Sequence, residues 1–61
     1  MSAPALLTEA GQHLARVEAL LETAAPDLDK PLAEAVRYMA GEIERIRRRV
    51  RNARLQAGGA P

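Results

Sequence analysis

Residues 32–57 read LAEAVRYMAGEIERIRRRVRNARLQA. The apolar residues recur at Leu32, Val36, Met39, Ile43, Ile46, Val50, Ala53 and Ala57. The steps alternate four and three without a break, which is a heptad seam with positions a and d filled. Strand side chains alternate every second residue, so no strand can present that period. The stretch predicts one long helix with an apolar stripe, and the rest of the chain is expected to cover that stripe.

Toward the N-terminus a second seam has the same spacing: Ala3, Leu7, Ala10, Leu14, Val17, Leu21 and Ala24. Leucine recurs at a and smaller residues at d, a pattern that lets two helices interdigitate. Ser2 suits an N-cap, with Pro4 tolerated in the first turn because its missing donor would be free there anyway. Pro26 ends the helix, since the residue before a proline disfavours the helical region. Asp29, or alternatively Asp27, suits the next N-cap, with Pro31 in the first turn. Gly58 and Gly59 are expected to stop the second helix. The expected elements are helix 1 over about 3–24, a turn over 25–30, helix 2 over about 31–57, and a frayed tail over 58–61.

Two helices joined by so short a turn fold back antiparallel. Pairing Leu21 with Val36, Leu14 with Ile43 and Leu7 with Val50 gives numbers that total 57 each time, so the two seams stay in phase. The expected fold class is all-α: a single-domain antiparallel two-helix hairpin.

The chain has 61 residues. A core this small rarely supplies more than about 3–5 kcal/mol, so such chains usually carry staples or associate. Cysteine is absent, which removes disulfides, and one histidine cannot supply Cys/His zinc-site spacing. The g positions of helix 1 are Leu6, His13 and Leu20, and they face Ala35, Glu42 and Arg49 at the g positions of helix 2. Leu6 and Leu20 widen the apolar stripe beyond what one partner helix covers. Burying each leucine is worth about 1.5–3 kcal/mol, comparable to the whole stability of such a hairpin. The expectation is a homodimer forming an antiparallel four-helix bundle, with Leu6, His13, Leu20 and Ala35 in the dimer interface.

Charge adds an orientation. Through Asp29 the acids Glu9, Glu18, Glu22, Asp27 and Asp29 stand against Arg16, a net of −4; from Lys30 onward eight cations stand against Glu34, Glu42 and Glu44, a net of +5. The formal total is +1. Acids gather at the turn and arginines at the open end, so an antiparallel mate would bring unlike ends together. A twofold axis near His13 would then set Leu6 of one chain against Leu20 of the other.

Arg45, Arg47, Arg48, Arg49, Arg51 and Arg54 contain no acid among them. Arginine forks bind phosphate oxygens and carboxylates, which makes the cluster a candidate surface for a protein partner or for nucleic acid. The plainer account is that cations near a helix C-terminus suit the macrodipole, and that their stems cover apolar surface. Their wheel positions surround the helix, and no aromatic residue is interleaved for base stacking. Tyr38, the sole aromatic, falls at an outward position and is a candidate partner anchor. Gly41 is outward too, and beside Ala33, Ala40 and Arg37 it is expected to form a smooth low patch.

His13 lacks the oriented partner and pocket that catalysis requires, and a structural contact with Glu42 or Glu9 is the expectation. Glu18 and Glu22 lie one turn apart but off the seam, without the Glu-x-x-His motif of bundle metal sites. The chain is therefore expected to be no enzyme, with no metal, cofactor or small-molecule substrate. No run of about 20 apolar residues predicts a membrane span. Met1-Ser2-Ala3-Pro4 lacks the basic and apolar segments of a secretory signal, so a cytoplasmic location is expected.

The layout resembles, in length and topology, the small plasmid-encoded helical hairpins that dimerise into four-helix bundles and bind RNA. Secretion-system co-chaperones share the hairpin plan. These readings leave two functions. One is a homodimeric hairpin that docks on a larger protein as a regulator, adaptor or chaperone-like module. The other is an RNA- or DNA-binding four-helix bundle that uses the arginines of helix 2.

Overall fold

The computed structural model describes residues 2–59. Ser2 sets the start of α1 (Ala3–Ala24). Its backbone is extended, its Oγ accepts the Ala5 N–H at 3.3 Å, and its carbonyl accepts the Leu6 N–H at 3.1 Å. A side-chain cap of this kind satisfies one of the donors that a helix start leaves free. Ala25–Asp27 tighten into a single 3₁₀ turn, and Leu28 is extended, which breaks the helical path. The second helix, α2 (Lys30–Gly59), begins when the Asp29 carbonyl accepts the Ala33 N–H at 2.8 Å.

The chain is all-α, with α1 and α2 packed antiparallel as a hairpin. One boundary departs from expectation. Gly58 and Gly59 do not stop α2; they are its last residues, and among the described residues no glycine takes a positive φ. Among the described residues no left-handed glycine cap forms, and the helix carries on to lie beside Pro4. A Cβ built on Gly58 would sit 3.4 Å from Pro4 Cγ. Ala60 and Pro61 of the expected tail lie outside the described residues.

The seam also differs from the expected one. Leu7, Leu14 and Leu21 on α1, and Val36, Ile43 and Val50 on α2, do turn toward the partner helix as a residues should. The large d residues do not. Val17, Leu32, Met39 and Ile46 are exposed, whereas the e residues Ala25, Ala33 and Ala40 are buried. The hairpin closes on its a and e columns. The reason is steric: Gly11, Ala25, Ala33 and Ala40 are small, and small residues let backbones approach more closely than Met or Ile would. The register shifts accordingly. Gly11 meets Val50 and Pro4 meets Gly58, pairs whose numbers total 61 and 62 rather than 57.

A hairpin is one layer thick. The principal extents are 50 × 17 × 10 Å, and the last is the diameter of a single helix. The radius of gyration is 14.3 Å, against about 10.5 Å for a compact domain of this length. Stable domains are usually built from two packed layers around a core. Here the second layer is missing, and both broad faces are open.

Candidate interaction surfaces

Antiparallel packing mirrors the two helical wheels. With a and e turned inward on both helices, the d and g columns of both fall on one broad face and the b and f columns on the other. The d/g face carries Leu6, Val17, Leu20, Leu32, Met39 and Ile46, each at least 40% exposed. Leu6 and Leu20 are 51% exposed, and the smaller Ala35 is exposed beside them. His13 interrupts the apolar strip on α1. It faces Glu9 one turn earlier, Nε2 to Oε1 at 3.6 Å, with both side chains mostly in solvent. Glu42, the other expected neighbour, is not its contact.

The chain as a whole leaves more surface open than a compact fold of its mass would. A folded monomer of 6.6 kDa is expected to expose about 3,900 Å². This chain exposes 4688 Å². The difference of about 800 Å² equals what each partner contributes to a protein–protein interface of standard size.

The b/f face is of another character. A groove of about 400 Å³ runs between the helices toward the open end. Leu7, Gly11, Ala15 and Val50 line it low down, Thr8 and Gln12 flank it on α1, and Glu44, Arg47, Arg48, Arg51 and Arg54 flank it on α2. The Thr8 hydroxyl donates to the Pro4 carbonyl at 3.0 Å, so its own polarity is partly satisfied. The arginine cluster is thus divided. Arg47, Arg48, Arg51 and Arg54 share the groove, while Arg45 and Arg49 lie with Glu42 and Ile46 on the opposite side of α2.

Two of the groove arginines already have carboxylate partners. Arg47 donates from Nη1 to Glu18 Oε1 across the seam at 2.6 Å, and Arg48 donates from Nη2 to Glu44 Oε1 at 2.7 Å along α2. Arg51 and Arg54 make no ion pair within 4.0 Å among the described residues. Tyr38 is 63% exposed and borders the d/g face from position c. The smooth patch expected around Gly41 does not form, because Ala33 and Ala40 are 5% and 4% exposed and belong to the seam. Gly41 itself faces open space.

No group of three or more metal-ligating side chains occurs among the described residues. Among the same residues no helix is long and apolar enough to cross a membrane. Comparison with family models, curated proteins and solved structures returns no match.

Sequence reading placed Leu6, His13, Leu20 and Ala35 on a common surface, and the hairpin does bring them to one face. It assigned Leu32, Met39 and Ile46 to the hairpin core, and missed that they extend that same face. The signal that separates the two arrangements was the set of small residues at e: Gly11 on α1, Ala25 in the turn, and Ala33 and Ala40 on α2.

Proposed function

We propose that this chain is a non-enzymatic protein–protein interaction module. It works as a homodimer in which two hairpins pack d/g face to d/g face as an antiparallel four-helix bundle. The dimer docks on a larger cytoplasmic protein as a regulator, adaptor or chaperone-like subunit. The observation that carries this reading is the face on which Leu6, Val17, Leu20, Leu32, Met39 and Ile46 lie exposed, on a chain that exposes about 800 Å² more in total than a folded monomer of this mass. Exposed apolar patches of several hundred Å² mark interaction sites. A second copy of the chain supplies the same apolar columns at the same spacing, which gives a closed, self-complementary contact.

Charge selects the orientation. Asp27 and Asp29 sit at the turn, while Arg45, Arg49, Arg51 and Arg54 lie in the last half of α2. An antiparallel mate sets each acidic turn near the other chain's basic end. Exposed ion pairs contribute only about 0–1 kcal/mol each, so they choose the direction while the apolar residues supply the affinity.

Sedimentation equilibrium at micromolar concentration tests the reading, combined with thermal unfolding over a dilution series. A mass of twice 6.6 kDa and a midpoint that falls on dilution are expected. A folded monomer with a concentration-independent midpoint would overturn it.

A further inference from the structure

Dimerisation through the d/g face leaves the groove on the other face free. Its low wall is made of small and aliphatic groups: Gly11 and Ala15 beside Leu7 and Val50. Gly11 and Ala15 leave room for another backbone to come close, so this part of the groove suits an apolar side chain carried on a rod. Above it stand Arg48, Arg51 and Arg54, at every third residue of α2. Helical rise spaces them about 4.5 Å apart along the axis. A second helix laid along the groove has the same rise, so carboxylates three residues apart on it advance by the same step. Arg51 and Arg54 have no carboxylate of their own within 4.0 Å among the described residues.

Phosphate chains fit the groove less well. It includes the Glu44 carboxylate, no aromatic residue lines it for base stacking, and the net charge of the chain is only +1. The groove is built for an anionic ligand that also brings an apolar tooth.

We propose that this groove binds an acidic amphipathic helical segment of a partner protein, seated as a third helix. Its aspartates or glutamates pair with Arg51 and Arg54, and a leucine-sized side chain rests against Gly11 and Ala15. Helix-in-groove recognition of this kind is read from anchors at i, i+3, i+4 and i+7. The proposal deepens the interaction-module reading and rests on it for the claim that the chain is a binding protein. The groove belongs to a single hairpin, so it does not need the dimer.

The test uses the full chain and a fluorescently labelled designed helical peptide with leucines on one side and glutamates flanking them. Controls are the same peptide with lysine at each glutamate position, and a short RNA duplex. Fluorescence anisotropy is read at low and physiological salt. The glutamate peptide is expected to bind, more weakly as salt rises, and the lysine peptide is not. Arg51→Ala with Arg54→Ala is expected to weaken binding about tenfold or more, and the corresponding lysine pair to restore part of it. Alanine is the better helix former, so circular dichroism should show the hairpin retained. Absence of glutamate-peptide binding at low salt, equal binding of the lysine peptide, an unaffected double alanine variant, or tighter binding of RNA would each overturn the proposal. Sedimentation of the same samples separates the two claims. A monomer that binds the peptide overturns only the dimer, and a dimer that ignores it overturns only the groove.

Discussion

Arg47 on α2 reaches across the seam to Glu18 on α1, Nη1 to Oε1 at 2.6 Å, and the glutamate side chain is only 17% exposed. This pair is the one polar link between the two helices among the described residues. The Arg48–Glu44 pair lies along α2 alone, with both side chains about half exposed. Partial burial reduces solvent screening, and a pair that bridges two elements resists their separation. A double-mutant cycle of Glu18→Ala and Arg47→Ala, followed by urea unfolding, is expected to give a coupling near 1 kcal/mol. The Glu44–Arg48 cycle is expected to give about 0.3–0.5 kcal/mol, the usual range for a pair one turn apart on a helix. Equal couplings would mean that the cross-seam pair gains nothing from its position.

Gly41 sits in mid-helix with helical φ, and a Cβ added there meets nothing within 4 Å. Gly41→Ala should therefore stabilise the fold by up to about 1 kcal/mol, through the unfolded chain as much as the folded one. In a domain of this size that is a rise of about 4–8 °C in Tm. At Gly11 a Cβ would lie 3.9 Å from Val50 Cγ1, an ordinary contact, so Gly11→Ala is expected to be stabilising as well. A fall in Tm for either variant would contradict the helix-face assignment at that position.

Leu20 and Leu55 are exposed to similar degrees, 51% and 58%, but on different faces. Leu20→Glu places a charge on the d/g face and is expected to yield monomers with reduced helical content, because a buried unpaired carboxylate is strongly disfavoured. Leu55→Glu lies away from that face and should leave the sedimenting mass unchanged. Matching behaviour of the two variants would remove the d/g face as the seat of association.

The direction of the proposed dimer can be read from one spin label. Ala25 is 1% exposed and unsuitable, whereas Asp27 in the same turn is open to solvent. In an antiparallel dimer two labels at Asp27→Cys should lie on the order of 30–45 Å apart, the length of helices of 20 to 30 residues. Labels within about a helix diameter of one another would show the turns associating side by side.

The hairpin itself was legible because two heptad patterns, two prolines and a serine cap all point to the same topology. Which columns of those heptads would meet was not legible from apolarity alone. Leu7, Leu14 and Leu21 serve an a/d seam and an a/e seam equally well. The decision falls to Ala33 and Ala40, whose small size favours the closer approach, and it turns Met39 and Ile46 outward. The arginine run was legible as a run, but not as two groups. Only the turning of the a and e columns inward places Arg51 and Arg54 in a groove with Thr8, and Arg45 and Arg49 behind it.

Along α2 the e column changes from Ala33 and Ala40 near the turn to Arg47 and Arg54 near the open end. Tight apolar contact thus gives way to half-buried charge partway along the molecule, and resistance to opening should follow. Amide hydrogens between Ala33 and Ile43 are expected to exchange slowest, and those beyond Arg47 progressively faster, because local opening follows the density of buried apolar contact. The groove lies in the half that opens first. A helix seated there would hold the loosest part of the chain together, and its arrival would be visible as slowed exchange well beyond the residues it touches.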